Sequence, residues 1–496
     1  MVLTSVSMRP FSKTVLVAGC LAWIGACDTL DRTQDRQPSA YLTAAATCSV
    51  LIQNVNVVDV MNGVVRESQD VCVDGVSVVV VREHEANTFR ADAIVPGEGK
   101  FLIPGLNDMH VHFRGGEQSV EENRDLLTLY LAHGITGVYD LGSDISTELI
   151  EWRDEIAKKE LLGPDLYLTG PKIDGRDPWF AGSLVVETQS DAESAVGQLM
   201  ALGADGAKIM GGTLSPEAFW FAQDAAAAHG LKTIAHVPPT VSATDAAEHG
   251  LDAIAHLTAI VNDGAAESAD VRNRIIANEI SPLDAMAEID ENFDRAIMRR
   301  ALGRLEKTGT ALITTYYGNW LMAGGLADEL VDWEREHYRY TGPIVRQSVE
   351  NGFVNDQDFA QENQRIYQTR LKHIDWIVSQ IESTEILLLA GSDSGPRNSI
   401  PGRVLHREIE LLVAAGLSAA YSLRTATYNP AVFLGQQNRA GLVENGRVAN
   451  LVLLDANPLE NIANIQRIRG VIKSGRYFSK SDIDAMLSAL ELKYAN

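Results

Sequence analysis

Basic residues are scarce in this chain of 496 residues, which has 42 lysines and arginines against 66 aspartates and glutamates and a formal net charge of −24. Because proteins bind a phosphate backbone through a basic face, this deficit argues against a nucleic-acid partner. Internal repeats of about 20–50 residues and low-complexity tracts are also missing. With 46% hydrophobic and 22% charged residues, the chain can bury a sizeable core, and its length corresponds to roughly three domains.

The N-terminus has an apolar run that is too short to form a stable transmembrane helix. The run "TVLVAGCLAWIGAC" follows Arg9 and Lys13 and has the length of the apolar region of a signal peptide. We therefore predict that residues 1–26 are a signal peptide and that the protein is exported.

This run resembles a bacterial lipoprotein signal, in which small residues precede a cysteine that becomes lipidated. "VAGC", ending at Cys20, fits the usual pattern slightly better, but cleavage before it would leave "LAWIGA" exposed. Cleavage before Cys27 leaves a polar, turn-rich stretch, so we predict lipidation at Cys27 and a tether over residues 27–47. Asp28 resembles an inner-membrane retention signal, which favours a lipid anchor in the cell envelope facing the periplasm as the only membrane contact. A leader without lipid is the alternative.

Two cysteines remain in the mature chain, Cys48 and Cys72, on two apolar runs that could pair as strands. An exported protein can oxidise such a pair, but the sequence does not give the Cα separation that a disulfide needs. A disulfide and two buried thiols therefore both stay open.

Strand patterns at the two ends of the chain predict one small β-sandwich domain, built from residues 48–99 and 440–480. Between them, eight short apolar stretches alternate with helical segments, which is typical of a (β/α)₈ TIM barrel over residues 100–439. A C-terminal helix is expected over residues 481–496. The fold class is therefore α/β, with the barrel inserted into the composite β-domain. The eight stretches are "KFLIPGLNDMHVHF", "TGVYDLG", "DLYLTG", "GAKIMGG", "KTIAHV", "AIAHLT", "ALITTYYG" and "ILLLAGSDSG".

The first barrel strand ends in two of the chain's 11 histidines, His110 and His112. In a β-strand, residues i and i+2 point to the same side, so both imidazoles would face one cavity, where they suit a transition metal. Taken alone, such a pair is more often structural. Further metal-binding side chains do end other candidate strands, however, at the face where barrels hold their active sites: Lys208, His236, His256 and Asp393.

Several motifs in order resemble the amidohydrolase superfamily, in particular its imidazolonepropionase-like and prolidase-like branch. The resemblance extends from about Ser49 to Phe478 and includes "PGLNDMHVHF", "GADGAKIM", "TIAHV", "DAIAHL", "AGSDSG" and "GLVENGRVANLVLLDANPL". It implies that the site holds two divalent metal ions, most simply Zn²⁺, and it implies which side chains bind each ion. His110, His112 and Asp393 would bind the more buried ion, His236 and His256 the second, and Lys208, as N6-carboxylysine, would bridge both.

The resemblance also implies a mechanism. A hydroxide shared by the two ions would attack a carbonyl, with Asp393 as general base and then general acid toward the leaving nitrogen. From its position alone, beside the first-strand histidines, Asp108 is expected to orient a ligand histidine. The implied substrates are small amides: dipeptides, N-acyl amino acids or related compounds. Tyr316, on the seventh candidate strand, and His406, after the eighth, are candidates to contact substrate from their positions, and packing or loop support explains each of them equally well.

Other activities remain as alternatives. Many deaminases of the superfamily have a glutamate three residues after the fifth-strand histidine, where this chain has Pro239. A phosphotriesterase-like or lactonase-like activity shares much of the same metal site. A lipid-anchored binding protein without chemistry would be expected to lack a ligand, and a homo-oligomer is left open.

Overall fold

The structure is a computed structural model and describes residues 46–86, 88–325, 336–395 and 399–495. The predicted signal peptide, Cys20, Cys27 and the tether up to residue 45 lie outside these ranges.

In the described residues, eight strands from both chain ends form one continuous sheet, so the composite β-domain predicted from the sequence is present. Its order is β18 (Arg476–Ser479), β17 (Ile468–Lys473), β16 (Leu451–Leu454), β5 (Phe101–Pro104), β1 (Ala46–Asp59), β2 (Val64–Asp74) and β3 (Ser77–Glu83), and β4 (Phe89–Pro96) also pairs with β1. A bridge between Ser77 and Val448 brings the chain ends together around an apolar core.

A disulfide joins Cys48 in β1 to Cys72 in β2, with their Cα atoms 5.4 Å apart. The two strands are antiparallel neighbours, and both cysteines are fully buried. Of the two alternatives that the sequence left open, the structure therefore has the bridge.

The barrel begins a few residues later than predicted. β5 pairs with β1 and β16, so these residues belong to the composite sheet and not to the first barrel strand. Pro104 and Gly105 separate the two sheets. A Cβ on Gly105 would lie 2.2 Å from Thr136 Oγ1, so only glycine allows this close approach.

Eight parallel strands of the described residues form the barrel, one in each of the eight predicted stretches. Met109 N donates to Ala390 O (3.0 Å) and His112 N to Ser394 O (2.8 Å), which closes the first strand against the eighth. The short strands β9 (Ile173–Asp174) and β10 (Leu184–Val185) extend the sheet beside the fourth barrel strand. The barrel strands are β6 (Leu106–Val111), β7 (Ile135–Asp140), β8 (Asp165–Leu168), β11 (Gly206–Met210), β12 (Lys232–His236), β13 (Ala253–Ala255), β14 (Ala311–Ile313) and β15 (Leu388–Leu389).

Helices surround the barrel, and several begin at residues suited to cap them. Ser215 and Ser281 accept hydrogen bonds from the first turns of the helices Pro216–Ala228 and Pro282–Glu291, each of which has proline at its first position. The helices are α1 (Val120–Ala132), α2 (Ser146–Ala157), α3 (Gln189–Leu202), α4 (Pro216–Ala228), α5 (Ala243–Glu248), α6 (Thr258–Val261), α7 (Ser268–Ile276), α8 (Pro282–Glu291), α9 (Arg295–Leu305), α10 (Tyr316–Trp320), α11 (Pro343–Ile381), α12 (Arg403–Ala414), α13 (Ala419–Thr425), α14 (Tyr428–Phe433) and α15 (Lys480–Lys493).

Three shorter helical segments complete the described chain: 3₁₀ turns at Glu117–Ser119 and Ile462–Gln466, and a π-helical segment at Leu321–Gly325. Within the described ranges, no helix combines the length and the apolar character needed to cross a membrane.

Candidate metal centre

Three of the predicted ligands converge where the first and eighth barrel strands meet. Asp393 Oδ1 lies 3.0 Å from His112 Nε2 and 3.4 Å from His110 Nε2. The ligand atoms of the three residues all lie within 4.8 Å of one another. Two imidazole nitrogens and a carboxylate oxygen form a donor set that suits a transition metal.

The other predicted ligands border this cluster. The His256 ring lies 4.9 Å from the His110 ring and 4.7 Å from the His236 ring, measured between centroids, and His256 Nδ1 lies 4.0 Å from Asp393 Oδ2. Lys208 is in β11, the strand that pairs with the one ending in His236, and its side chain is buried.

The backbone at the strand ends has unusual conformations. His256, Thr315 and Asp393 have positive φ values of 68°, 40° and 54°. Non-glycine residues rarely adopt this left-handed region, and such strain is concentrated at functional sites. Gly391 is needed for a different reason, because a Cβ there would lie 2.7 Å from the Cβ of His110.

Residues beyond the ligands fix the orientation of two histidine rings. His112 Nδ1 donates to Gly142 O at 3.3 Å, and His256 Nδ1 lies 2.8 Å from Thr315 Oγ1. Both contacts engage one ring nitrogen and leave the other available to a metal.

Glu408 holds the segment that contains Thr315. Its Oε1 accepts from Tyr316 N at 2.8 Å and its Oε2 from Tyr317 N at 2.7 Å, and the hydroxyl of Thr314 donates to the same carboxylate. Neither Thr315 nor Glu408 was predicted from the sequence. Glu408 lies more than 90 residues from its partners, so no local pattern could reveal it.

Asp108 was expected to orient a ligand histidine, and it does so through the backbone. Its Oδ1 accepts from Ser392 N (2.8 Å) and His110 N (3.3 Å), and its Oδ2 accepts from Ser392 Oγ (2.5 Å). Asp108 thus ties the strand end that bears His110 to the one that bears Asp393.

Burial sets the protonation of the predicted ligands. It lowers the pKa of His110 and His112 well below the ordinary histidine value and that of His236 to about 3, with nearby positive charge adding to the effect. Burial also lowers the pKa of Lys208 to about 7. The histidines are therefore neutral at pH 7, the form in which imidazole binds a metal.

A second observation also supports a metal centre at this site. Among the described residues, three buried nitrogens of the cluster have no hydrogen-bond partner: His110 Nδ1, His236 Nδ1 and Lys208 Nζ. Buried polar atoms normally have a partner, so three unpaired nitrogens among the predicted ligands indicate that the site takes a ligand.

A cavity of about 400 Å³ opens from this cluster and is bordered by His236, His256 and Asp393. The two residues predicted to contact substrate lie elsewhere. The Tyr316 hydroxyl hydrogen-bonds Asp375, and Tyr317 borders the cavity instead. His406 Nε2 donates to His133 O at 2.8 Å, and burial lowers the pKa of its ring to about 4.

Comparison with known proteins agrees with this geometry. A model of the amidohydrolase family matches residues 101–477. The chain belongs to the amidohydrolase family. As an amidohydrolase it is a hydrolase with a His-His-Asp metal site, formed by His110, His112 and Asp393.

Individual relatives are more distant. A dihydroorotase of Carboxydothermus hydrogenoformans is 40% identical over 113 residues, which span 21% of this amidohydrolase and 25% of the dihydroorotase. The match thus covers about a quarter of that relative.

Solved structures are similar over most of the chain. An Xaa-Pro dipeptidase with methionine bound in its active site has a TM-score of 0.63 at 19% identity, covering 87% of this chain and 99% of its own. Bottromycin amidohydrolase has a TM-score of 0.64 at 18% identity, and the match covers 89% of this chain and 90% of that protein. At these identities the likeness shows the shared fold, a barrel with a β-domain from the chain ends.

Proposed function

We propose that the protein is a binuclear metal-dependent hydrolase that cleaves a carbon–nitrogen amide bond in a dipeptide, an N-acyl amino acid or a related amide. The observation that carries the proposal is the amine of Lys208, which is 1% exposed and has no hydrogen-bond partner among the described residues. An ammonium has no lone pair for a cation, whereas the carbamate formed with CO₂ offers two oxygens, one to each of two ions.

In this proposal His110, His112 and Asp393 hold one ion, His236 and His256 hold the other, and carboxylated Lys208 serves both. The ions, which we expect to be Zn²⁺, activate water and polarise the amide carbonyl when they are bound.

The protein's own groups then position and move protons. The Asp393 carboxylate accepts the proton that water loses as it attacks the carbonyl carbon, and it delivers this proton to the nitrogen of the breaking bond. The contact with Gly142 O keeps the His112 imidazole in the tautomer protonated at Nδ1, and the contact with Thr315 holds the orientation of the His256 ring.

Amide cleavage is supported by the kinds of protein that share the fold, which include a dipeptidase and a named amidohydrolase. We further propose that the enzyme is exported and is held by a lipid on Cys27 in the cell envelope, facing the periplasm. Its net charge of −24 is consistent with a small-molecule substrate and no nucleic-acid partner.

Replacing Lys208 by alanine tests the binuclear site. The Lys208→Ala variant loses the bridging group and its negative charge, so it should hold at most about half of the wild-type metal and lose activity at least 100-fold. Metal content is measured by elemental analysis, and the modification is measured as a mass increase on the peptide that contains Lys208.

A matched control is Lys232→Ala, because Lys232 lies at the start of the neighbouring strand with its side chain 39% exposed beside Asp252. This variant should keep wild-type metal content and rates. A Lys208→Ala protein with full metal content and normal activity would contradict the proposal.

A further inference from the structure

The cavity beside the metal centre is walled mainly by apolar side chains from outside the barrel strands. Ile275 of α7, Ala285, Met286 and Ile289 of α8, and Leu321 and Met322 of the π-helical segment all face it. A cavity of about 400 Å³ is within the range of pockets that enclose a whole organic ligand. It is far larger than the two small groups next to a scissile amide require.

Away from the metal centre, the charge in the cavity wall is already paired within the protein. Among the described lining residues, the charged side chains are Asp393 at the metal centre and Arg370. The Arg370 guanidinium is buried, with Nε 2.8 Å from Asp290 Oδ1, and Nη1 donates to Asn262 Oδ1 at 2.7 Å. A second carboxylate brought by a ligand would have to compete with these contacts, whereas an uncharged group would not.

The mouth of the cavity has an exposed aromatic side chain. Trp179 borders the cavity with 58% of its surface exposed, and its ring lies 6.3 Å from the His236 ring. A Cβ on Gly212 would lie 2.7 Å from the Trp179 ring, so glycine there permits this position. A large exposed aromatic group at the rim of an apolar pocket is a favourable contact for an apolar ligand.

We propose that this cavity receives a bulky, uncharged apolar substituent of the scissile amide, such as an aromatic ring or a long aliphatic chain. The preferred substrates are then hydrophobic amides and not small polar dipeptides. This inference rests on the proposed function, because it assumes that an amide is cleaved at the adjoining metal centre. α7, α8 and the π-helical segment act as the specificity-determining wall.

A substrate series on the zinc-loaded wild-type enzyme tests the proposal. One arm uses N-acyl glycines from acetyl to decanoyl, and the other uses acetamides of amines from methylamine to naphthylmethylamine, so the arms show which side of the amide enters the cavity. In one arm, kcat/KM should rise about threefold to tenfold for each methylene that becomes buried.

Two adjacent isoleucines provide matched variants. Ile275 borders the cavity, whereas Ile276 is 49% exposed and is not among the described residues that line it. Ile275→Trp should fill part of the cavity and, in the arm that responds to size, reduce the preference for the largest over the smallest compound at least tenfold. Ile276→Trp should leave the preference and the rates unchanged.

Binding of the apolar dye N-phenyl-1-naphthylamine to the metal-free protein gives a readout that does not depend on catalysis. Dye fluorescence should rise with wild type and with Ile276→Trp, and should be much weaker with a folded Ile275→Trp protein, as judged by circular dichroism. If Ile275→Trp does not fold, Met286→Trp takes its place.

The outcomes separate this inference from the proposed function. If kcat/KM stays the same from the smallest to the largest compound in both arms, the enzyme is an amidase but the cavity proposal fails. If no amide is cleaved and the dye binds as expected, the proposed function fails. The cavity would then still be a binding site for an apolar group. Equal dye binding by both isoleucine variants overturns the cavity proposal in either case.

Discussion

At the scale of single residues, the geometry of the centre depends on side chains that bind no metal. Thr315 adopts a left-handed conformation with φ of 40° and places its hydroxyl beside His256. That conformation costs energy, and Glu408 holds it by accepting the backbone N–H groups of Tyr316 and Tyr317. Glu408 is thus a positioning residue.

Replacing Glu408 by glutamine should change how stability depends on pH. Burial raises the pKa of Glu408 from 4.5 to about 7, although its hydrogen bonds with Thr314, Tyr316 and Tyr317 oppose the shift. Because the folded protein holds this proton more tightly than the unfolded chain, stability is lost as the pH rises from about 4.5 to about 7. Glutamine does not titrate, so between pH 5 and pH 8 the Glu408→Gln variant should gain about 2 kcal/mol relative to wild type.

The measurement is urea unfolding of both proteins at the two pH values. Taking the difference between them cancels the titration of the metal ligands, which they share. A difference in unfolding free energy that stays constant from pH 5 to pH 8 would show that Glu408 is ionised throughout.

The sequence predicted the position of a site residue correctly where one rule of strand geometry was enough. The alternation of a strand put His110 and His112 on one side, and the ends of parallel strands brought them near Asp393 and His256. The prediction that Tyr316 contacts substrate did not hold. The left-handed conformation of Thr315 sets which residues of the following short helix face the cavity. The orientation of such a helix cannot be read from its sequence.

At the scale of elements, one buried ion pair connects three helices of the cavity wall. Arg370 of α11 contacts Asp290 of α8, and its Nη1 also donates to Thr258 O of α6 at 3.1 Å. Both charged side chains are nearly fully buried. The pair fixes the wall because neither charge can be left alone in the interior.

Asp290→Ala should lower the free energy of unfolding by about 3–5 kcal/mol, because it leaves the Arg370 guanidinium buried without its carboxylate. Chemical denaturation of purified protein measures the change. The control is Glu155→Ala, which removes the solvent-exposed pair with Arg124 and should have a much smaller effect. Equal losses in the two variants would mean that Arg370 finds another partner or admits water.

The sequence predicted the positions of the barrel strands better than those of the helices that form the cavity wall. Each of the eight strands is a short, buried apolar stretch between turn signals, and each was located. The wall helices α7 and α8 and the long α11 were not separated from the other helical segments, because their roles depend on tertiary packing. The Phe101–Pro104 boundary was also missed, since an apolar stretch does not reveal which of two sheets it joins.

At the scale of the whole molecule, the barrel is an insertion between two paired strands. The chain leaves the composite sheet after β5 and returns at β16, and these strands are antiparallel neighbours, with Ile103 opposite Val452. The entry and exit of the barrel segment are therefore held together by backbone hydrogen bonds. The predicted metal ligands all lie within this segment, far along the chain from the proposed anchor.

That separation leads to a prediction about attachment. Cys27→Ser should abolish incorporation of an alkyne-labelled fatty acid in bacterial cells, because the thiol is the proposed acceptor of the lipid. The hydrolase activity of the detergent-solubilised variant should be unchanged, since every predicted ligand lies between His110 and Asp393. Cys20→Ser is the matched control and should keep the label, because Cys20 would be removed with the signal peptide. Loss of label in Cys20→Ser with retention in Cys27→Ser would place the lipid on Cys20, and "LAWIGA" would then begin the mature chain.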